Sequence, residues 1–357
     1  MMKILFIYYY PSGGVETLAR QRSIALQRYG ISFHFLYFWE GPGLQNIKDE
    51  TTFLTEEEDE IQRIIFENEY DAVLICSHFP LVSKLKQWGY KGKVIYEIQG
   101  LGDFAAAEQW FLGSLPYVLN HADAILIPRT PHIIELSNKY YPDILHYCFH
   151  NCIDTQTFRH HKMPKVSYPV IGWVGRIEEN KNWKDCLAIV HDLKKAYTHL
   201  QLWMFLDLSV VKKEEQENFT TRIRNLGLQD SLTVFENIPH GKMPEYYSQI
   251  GDSGGFLLST SKVEGFGYAV LEAMCCRCPV LCTDSDGTKS FIIHDRTGKH
   301  YPVHDVHAGI KEALELLENP VISNRIKRNA YEHVQQNFLP SQYAMRFIAM
   351  LRSLGLY

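Results

Sequence analysis

Residues Ser261–Val280 read SKVEGFGYAVLEAMCCRCPV. An apolar run at Gly255–Leu258 precedes this stretch and another at Val280–Thr283 follows it, with a predicted helix starting near Gly265 to Tyr268 between them. Strand, helix, strand is the repeating unit of a parallel sheet. Upstream, the same alternation gives strands at Val170–Val174, Gln201–Phe205 and Leu232–Phe235. An aperiodic, polar segment at Asn151–Tyr168 separates these from an earlier series at Lys3–Tyr8, Ser32–Phe38, Ala72–Cys76, Lys93–Ile98, Ala124–Ile127 and Leu145–Phe149. The clearest helix is predicted at Val15–Tyr29, closed by Gly30. From Val306 onward the pattern is helical. The expected architecture is α/β, with two Rossmann-like, doubly wound domains at residues 1–160 and 161–338 facing across a cleft, and ligands at the carboxyl ends of their strands.

Several chemistry-bearing residues fall on loops after strands. Glu264 and Glu272 flank the sequence Gly265, Phe266, Gly267. A helix tip with exposed N–H groups and two glycines suits a phosphate or a sugar. Glu264 lies just before the predicted helix start and Glu272 inside the helix, and the rise of about 1.5 Å per residue puts Glu272 roughly 12 Å along the axis from Glu264, a span resembling the sugar-to-ribose distance of a nucleoside diphosphate sugar. Arg176 and Lys181, in GWVGRIEENKN, follow the first strand of the second half and could neutralise a diphosphate. Gly13 and Gly14 form a tight turn after the first strand of the chain. Each feature also has an ordinary reading: Glu264 as a loop residue, Glu272 as an ion-pair partner, Arg176 and Lys181 as solvated bases, the glycine pair as a plain turn.

The chain has 357 residues, and 36 Lys and Arg against 41 Asp and Glu give a formal net charge of -5, which argues against a nucleic-acid partner. The eight cysteines show no disulfide framework and read as reduced thiols; Cys275 and Cys278 lack the second pair a zinc site needs. No run approaches the roughly 18 apolar residues of a membrane span. The expectation is a cytoplasmic protein, with a basic, apolar segment at Leu81–Lys93 as the candidate for peripheral contact with the inner face of a membrane.

Taken together, GGVE at Gly13–Glu16, NCIDTQTF at Asn151–Phe158, Arg176 with Lys181, and EGFGYAVLEAM at Glu264–Met274 resemble the family 4 retaining glycosyltransferases, the group 1 glycosyl transferases of GT-B fold. The resemblance implies transfer of a sugar from a UDP- or GDP-sugar to a hydroxyl acceptor (a glycan, a lipid-linked acceptor or a small molecule) in glycan or cell-envelope polysaccharide synthesis, without a metal or other cofactor. By position, Arg176 and Lys181 would hold the diphosphate, Glu264 and Gly265–Gly267 the donor sugar, and Glu272 the ribose, with Gly13 and Gly14 bordering the diphosphate. A front-face mechanism, in which the leaving phosphate takes the acceptor proton, requires no carboxylate nucleophile. Residues 339–357 would form a helix crossing back to the first domain. The sequence departs from the family at Gln99, where many relatives carry a donor-side His, at Arg277, where a Gly is usual, and in the loop TDSDGTKS, whose Asp284 and Asp286 resemble a metal-binding Asp-x-Asp. Two alternatives remain open: a GT-B scaffold that binds a nucleotide sugar without turning it over, and a nucleotide-sugar epimerase.

Overall fold

The structure is a computed structural model and describes residues 2–48, 50–208 and 211–357. It forms two compact units, one comprising the chain through Asp154 with Phe338–Tyr357, the other Thr155–Asn337.

The first unit runs β1 (Met2–Tyr8), α1 (Gly13–Gln27), β2 (Ile31–Tyr37), β3 (Thr52–Leu54), α2 (Glu58–Glu67), β4 (Ala72–Cys76), α3 (Phe79–Gln87), β5 (Lys93–Glu97), α4 (Phe104–Val118), β6 (Ala124–Ile127), α5 (Pro131–Tyr140) and β7 (Leu145–Cys148). Its strands are all parallel, in the order β3-β2-β1-β4-β5-β6-β7. Because helices cover both faces, the strands are near-continuous apolar runs rather than alternating ones; Ile4, Leu5, Phe6 and Ile7 are all buried. On one face Leu5, Val73, Val94 and Ile125 pack against Ile61, Leu81, Phe111 and Ile133 of α2 to α5.

The second unit runs β8 (Val170–Val174), α6 (Trp183–Ala196), β9 (Gln201–Leu206), α7 (Lys213–Asn225), β10 (Leu232–Glu236), α8 (Met243–Asp252), β11 (Phe256–Ser259), α9 (Tyr268–Cys275), β12 (Val280–Thr283), β13 (Lys299–Tyr301), α10 (Val306–Glu318) and α11 (Pro320–Asn337). The strand order is β10-β9-β8-β11-β12-β13, again parallel. Trp173, Trp183, Leu202, Phe256 and Ile326 belong to its core. Both sheets are thus Rossmann-like. In each, the direction of winding reverses beside the first strand, between β1 and β4 and between β8 and β11, so the loops after those strands border a topological switch point, the usual seat of a ligand in such sheets.

The last helix, α12 (Pro340–Ser353), belongs to the first unit. Tyr343 accepts a 2.7 Å hydrogen bond from Arg22 Nε of α1, and the fully buried Arg22 guanidinium forms a two-pronged ion pair with the equally buried Glu97 at the end of β5. Ring contacts of Phe347 with Phe33 add apolar area.

Three details differ from the sequence reading. The three-residue edge strands β3 and β13 are too short to show periodicity. Helix α1 begins at Gly13, two residues earlier than expected, because the glycine pair is taken into its first turn. Helix α9 begins at Tyr268 behind Gly267, whose φ of 87° caps it, so Glu264 lies in the preceding loop and the estimated axial span to Glu272 does not apply. Arg277, by contrast, does adopt a left-handed conformation, φ 57°, at the end of α9, with its guanidinium over the Tyr331 ring.

Candidate functional site

At the switch point of the second unit, the loop after β8 and the loop after β11 are laced together. Trp173 Nε1 donates to Thr260 Oγ1 at 3.0 Å, and that hydroxyl donates to the Lys181 carbonyl at 2.8 Å. Asn180 spans the gap as an amide clip: its Nδ2 donates to Val263 O at 3.0 Å and its Oδ1 accepts from Val263 N at 3.1 Å, while its own carbonyl accepts from Lys262 N at 2.8 Å. The result is a fixed meeting of Lys181 Nζ with Glu264 Oε1 at 2.5 Å, joined by Ser261 Oγ at 2.7 Å. Both contacts fall on Oε1 of Glu264. The pair is largely shielded from water, with side chains 22% and 15% exposed, where charge-assisted hydrogen bonds are strongest.

The Gly-Phe-Gly segment is held from behind. The Phe266 ring packs between Tyr268 and Phe291, with centroids 5.0 and 5.4 Å away, and so serves as an anchor for the backbone. Gly287, in the loop after β12, donates its N–H to Glu264 O at 3.1 Å, and a Cβ at position 287 would sit 2.2 Å from that oxygen. Only glycine permits this approach.

Glu272 lies on α9. It is buried, and each of its oxygens has a partner: Oε2 accepts from Tyr247 Oη at 3.0 Å, and Oε1 lies 2.8 Å from His240 Nε2. Neither partner carried a signal in the sequence, since each is a tertiary contact, 32 and 25 positions away. Arg176 is half exposed and pairs with Glu178 at 3.2 Å.

The remaining expected site residues lie in the first unit. Gly13, with φ 66°, opens α1 together with Gly14, and its carbonyl accepts from Thr17 Oγ1 at 3.2 Å. The amide of Gln99 is tied into its own unit: Nε2 donates to Glu97 Oε1 at 2.9 Å and Oε1 accepts from Asn151 Nδ2 at 3.1 Å. Gln99 therefore joins the network around buried Arg22.

Asp284 and Asp286 both face Lys289 Nζ, at 3.3 and 3.2 Å. Among the described residues one group, His294, Asp295 and Glu312, has the spacing to hold a metal ion, but the buried Lys299 ammonium already lies 2.6 Å from both carboxylates. In the Leu81–Lys93 segment, Lys84 pairs with Glu58, and Lys86 and Lys93 pair with Asp123 at 3.0 and 3.7 Å, while Leu85 is buried. Among the described residues no helix is long and apolar enough to cross a membrane.

Comparison with known proteins identifies a family for the chain. The profile of the Glycosyl transferases group 1 matches residues 154–333. A trehalose synthase of Thermococcus litoralis is 27% identical over 190 residues, covering 52% of this chain and 44% of that protein, so the match spans less than half of the relative's length. Among solved structures, a sucrose-phosphate synthase from Thermosynechococcus elongatus superposes with a TM-score of 0.84 at 17% identity over 99% of both chains. HepE of Anabaena, in complex with UDP and glucose, superposes with a TM-score of 0.81 at 14% identity, over 99% of this chain and 100% of that one. These two likenesses establish the GT-B fold.

Proposed function

Because the chain belongs to the group 1 glycosyl transferases, we propose that it moves a hexose-type sugar from a UDP- or GDP-sugar to a hydroxyl acceptor, with retention at the anomeric carbon and without a metal, as a cytoplasmic enzyme of glycan or cell-envelope polysaccharide synthesis. The single observation that carries the reading is the Lys181–Glu264 pair beside the Gly265–Gly267 backbone at the switch point. Lys181 and Ser261 both use Oε1, so Oε2 of Glu264 is positioned to accept a donor-sugar hydroxyl. Lys181 and Arg176 balance the charge that develops on the diphosphate as the glycosidic bond breaks, which is the protein's main contribution when the leaving phosphate itself takes the acceptor proton. Glu272 receives the ribose hydroxyls through the lone pairs that His240 and Tyr247 leave open. The UDP and glucose bound by HepE support a uridine donor as the first to test. The salt bridges from Lys289 to Asp284 and Asp286 support a reading in which that loop recruits no metal.

The test is release of UDP or GDP by the purified protein from a panel of nucleotide sugars, with EDTA present. Release is expected, and Arg176→Ala should lower kcat about tenfold or more while changing donor affinity little, the mark of an interaction made in the transition state. Equal losses in turnover and affinity would count against that role. Nucleotide binding with no release from any donor would point to a non-catalytic scaffold, and isomerised donor sugar without an acceptor would point to an epimerase.

A further inference from the structure

The carboxyl edge of the first unit's sheet carries an aromatic assembly that the donor chemistry leaves unused. Tyr9 follows β1 and Trp39 follows β2, and their rings stack with centroids 6.0 Å apart and an interplanar angle of 15°. Edge-on rings support the stack from behind: Phe38 and His78 stand at 81° and 73° to Tyr9, with centroids at 5.9 and 5.6 Å. His78 follows β4, so Tyr9 and His78 stand just after the two strands that flank the switch point of this sheet.

The backbone holding these rings is clamped. Phe38 N and Trp39 N both donate to Tyr9 O at 2.9 Å, Gly43 N donates to Pro11 O at 2.8 Å, and a Cβ at Gly41 or Gly43 would sit 2.7 or 2.6 Å from that same Pro11 oxygen. Trp39 Nε1 donates to Glu56 Oε2 at 2.9 Å, which fixes the indole's rotation. Despite these restraints Trp39 keeps 49% of its surface exposed. About half of an oriented indole therefore faces solvent.

We propose that the Tyr9–Trp39 stack is a platform for a pyranose ring of the acceptor, so that the acceptor is a saccharide. The assignment rests on the glycosyl-transfer reading above. The faces of aromatic rings are electron-rich, and the C–H bonds along one face of a pyranose are polarised by the oxygens attached to their carbons, so the two surfaces attract. Glu56 at the indole edge and the neighbouring exposed Glu40 suit the ring's hydroxyl donors. The same carboxylates repel a nucleotide or a lipid phosphate.

Saturation-transfer NMR on the full chain with saturating UDP tests the assignment. The probes are methyl α-D-glucopyranoside, methyl β-D-galactopyranoside and methyl α-D-mannopyranoside, with glycerol as a hydroxyl compound lacking a ring. At least one glycoside should receive saturation on the C–H protons of one ring face while glycerol receives none. Trp39→Ala should weaken that binding about tenfold and Trp39→Phe about threefold or less, the scale of one stacked ring, with UDP affinity unchanged in both. The proposal is overturned if no glycoside binds the wild-type protein, if Trp39→Ala binds as well as wild type, or if Trp39→Ala also loses UDP. A wild-type protein that binds neither UDP nor GDP defeats the transferase reading instead, and the glycoside signals still decide the platform.

Discussion

At the scale of single residues, the two carboxylates that dominate the sequence motif have different surroundings. Glu264 meets a lysine and a serine on one oxygen, whereas Glu272 is a buried acceptor with a partner on each oxygen. Replacing Glu272 by Ala removes the acceptor of the fully buried Tyr247 hydroxyl, and an orphaned buried donor costs about 1–3 kcal/mol. The variant should therefore lose stability by that amount in urea denaturation as well as bind UDP at least about tenfold more weakly, the equivalent of about 1.4 kcal/mol. Adding Tyr247→Phe should recover part of the stability and none of the affinity, because the phenyl ring needs no acceptor. If Glu272→Ala is destabilised but binds UDP as tightly as wild type, Glu272 is a structural residue and its ribose role is lost. The sequence singles out Glu264, Lys181 and Glu272 as candidates by their residue types at fixed offsets from glycines. It could not identify His240 or Tyr247, because nothing local marks a histidine or tyrosine as the partner of a carboxylate on another element.

At the scale of elements, the strands were readable because parallel strands buried on both faces must be apolar throughout, and Ala72–Cys76, Ala124–Ile127, Val170–Val174 and Val280–Thr283 have the expected bounds. The edge strands Thr52–Leu54 and Lys299–Tyr301 escaped because three residues define no period. The start of α9, Tyr268, falls within the expected range of Gly265 to Tyr268, where the positive φ of Gly267 caps the helix and packing holds the turn. That packing includes the loop after β12, whose Gly287 lies against the Glu264 carbonyl. A methyl group there must displace either its own loop or the backbone of Glu264 and Gly265, since the atoms it meets belong to the main chain. Gly287→Ala should thus lower donor turnover at least about tenfold, because a shift of about 1 Å in a positioning element can cost 10²-fold. Gly241→Ala, in a spot with no atom within 4 Å of the added Cβ, is the control and should leave turnover unchanged. Wild-type kinetics in Gly287→Ala would show that the loop yields without moving Glu264.

At the scale of the whole molecule, stability is coupled to pH through imidazoles in both units. Burial pushes His34, His78 and His146 of the first unit and His333 of the second below the ordinary histidine range, and it pushes His300 down to about 4 against a partial opposing pull from Asp284. In the unfolded chain each of these titrates near about 6.5. Between that value and the depressed native one, the unfolded state binds more protons than the native state, so stability rises with pH across the window and falls as pH drops through it. Above about pH 7 the imidazoles are neutral in both states and exert no pH dependence. At still lower pH, carboxylates held down by hydrogen bonds from lysines, Glu108 from Lys139, Glu179 from Lys262 and Asp295 from Lys299, act in the same direction as they become protonated. The thermal midpoint at constant ionic strength should therefore decline steadily from about pH 6.5 to about pH 4 and be level only between about pH 7 and about pH 8, because above that the buried thiols of Cys76, Cys152 and Cys186, pushed up by burial, stay protonated in the native state while those of the unfolded chain ionise. His300→Gln keeps a polar side chain beside Thr288 but cannot bind a proton, so its decline should be shallower than that of the wild type. A midpoint that stays constant from pH 7.5 to pH 5 would mean that the buried imidazoles gain protons as readily as those of the unfolded chain, and that water reaches them in the folded state.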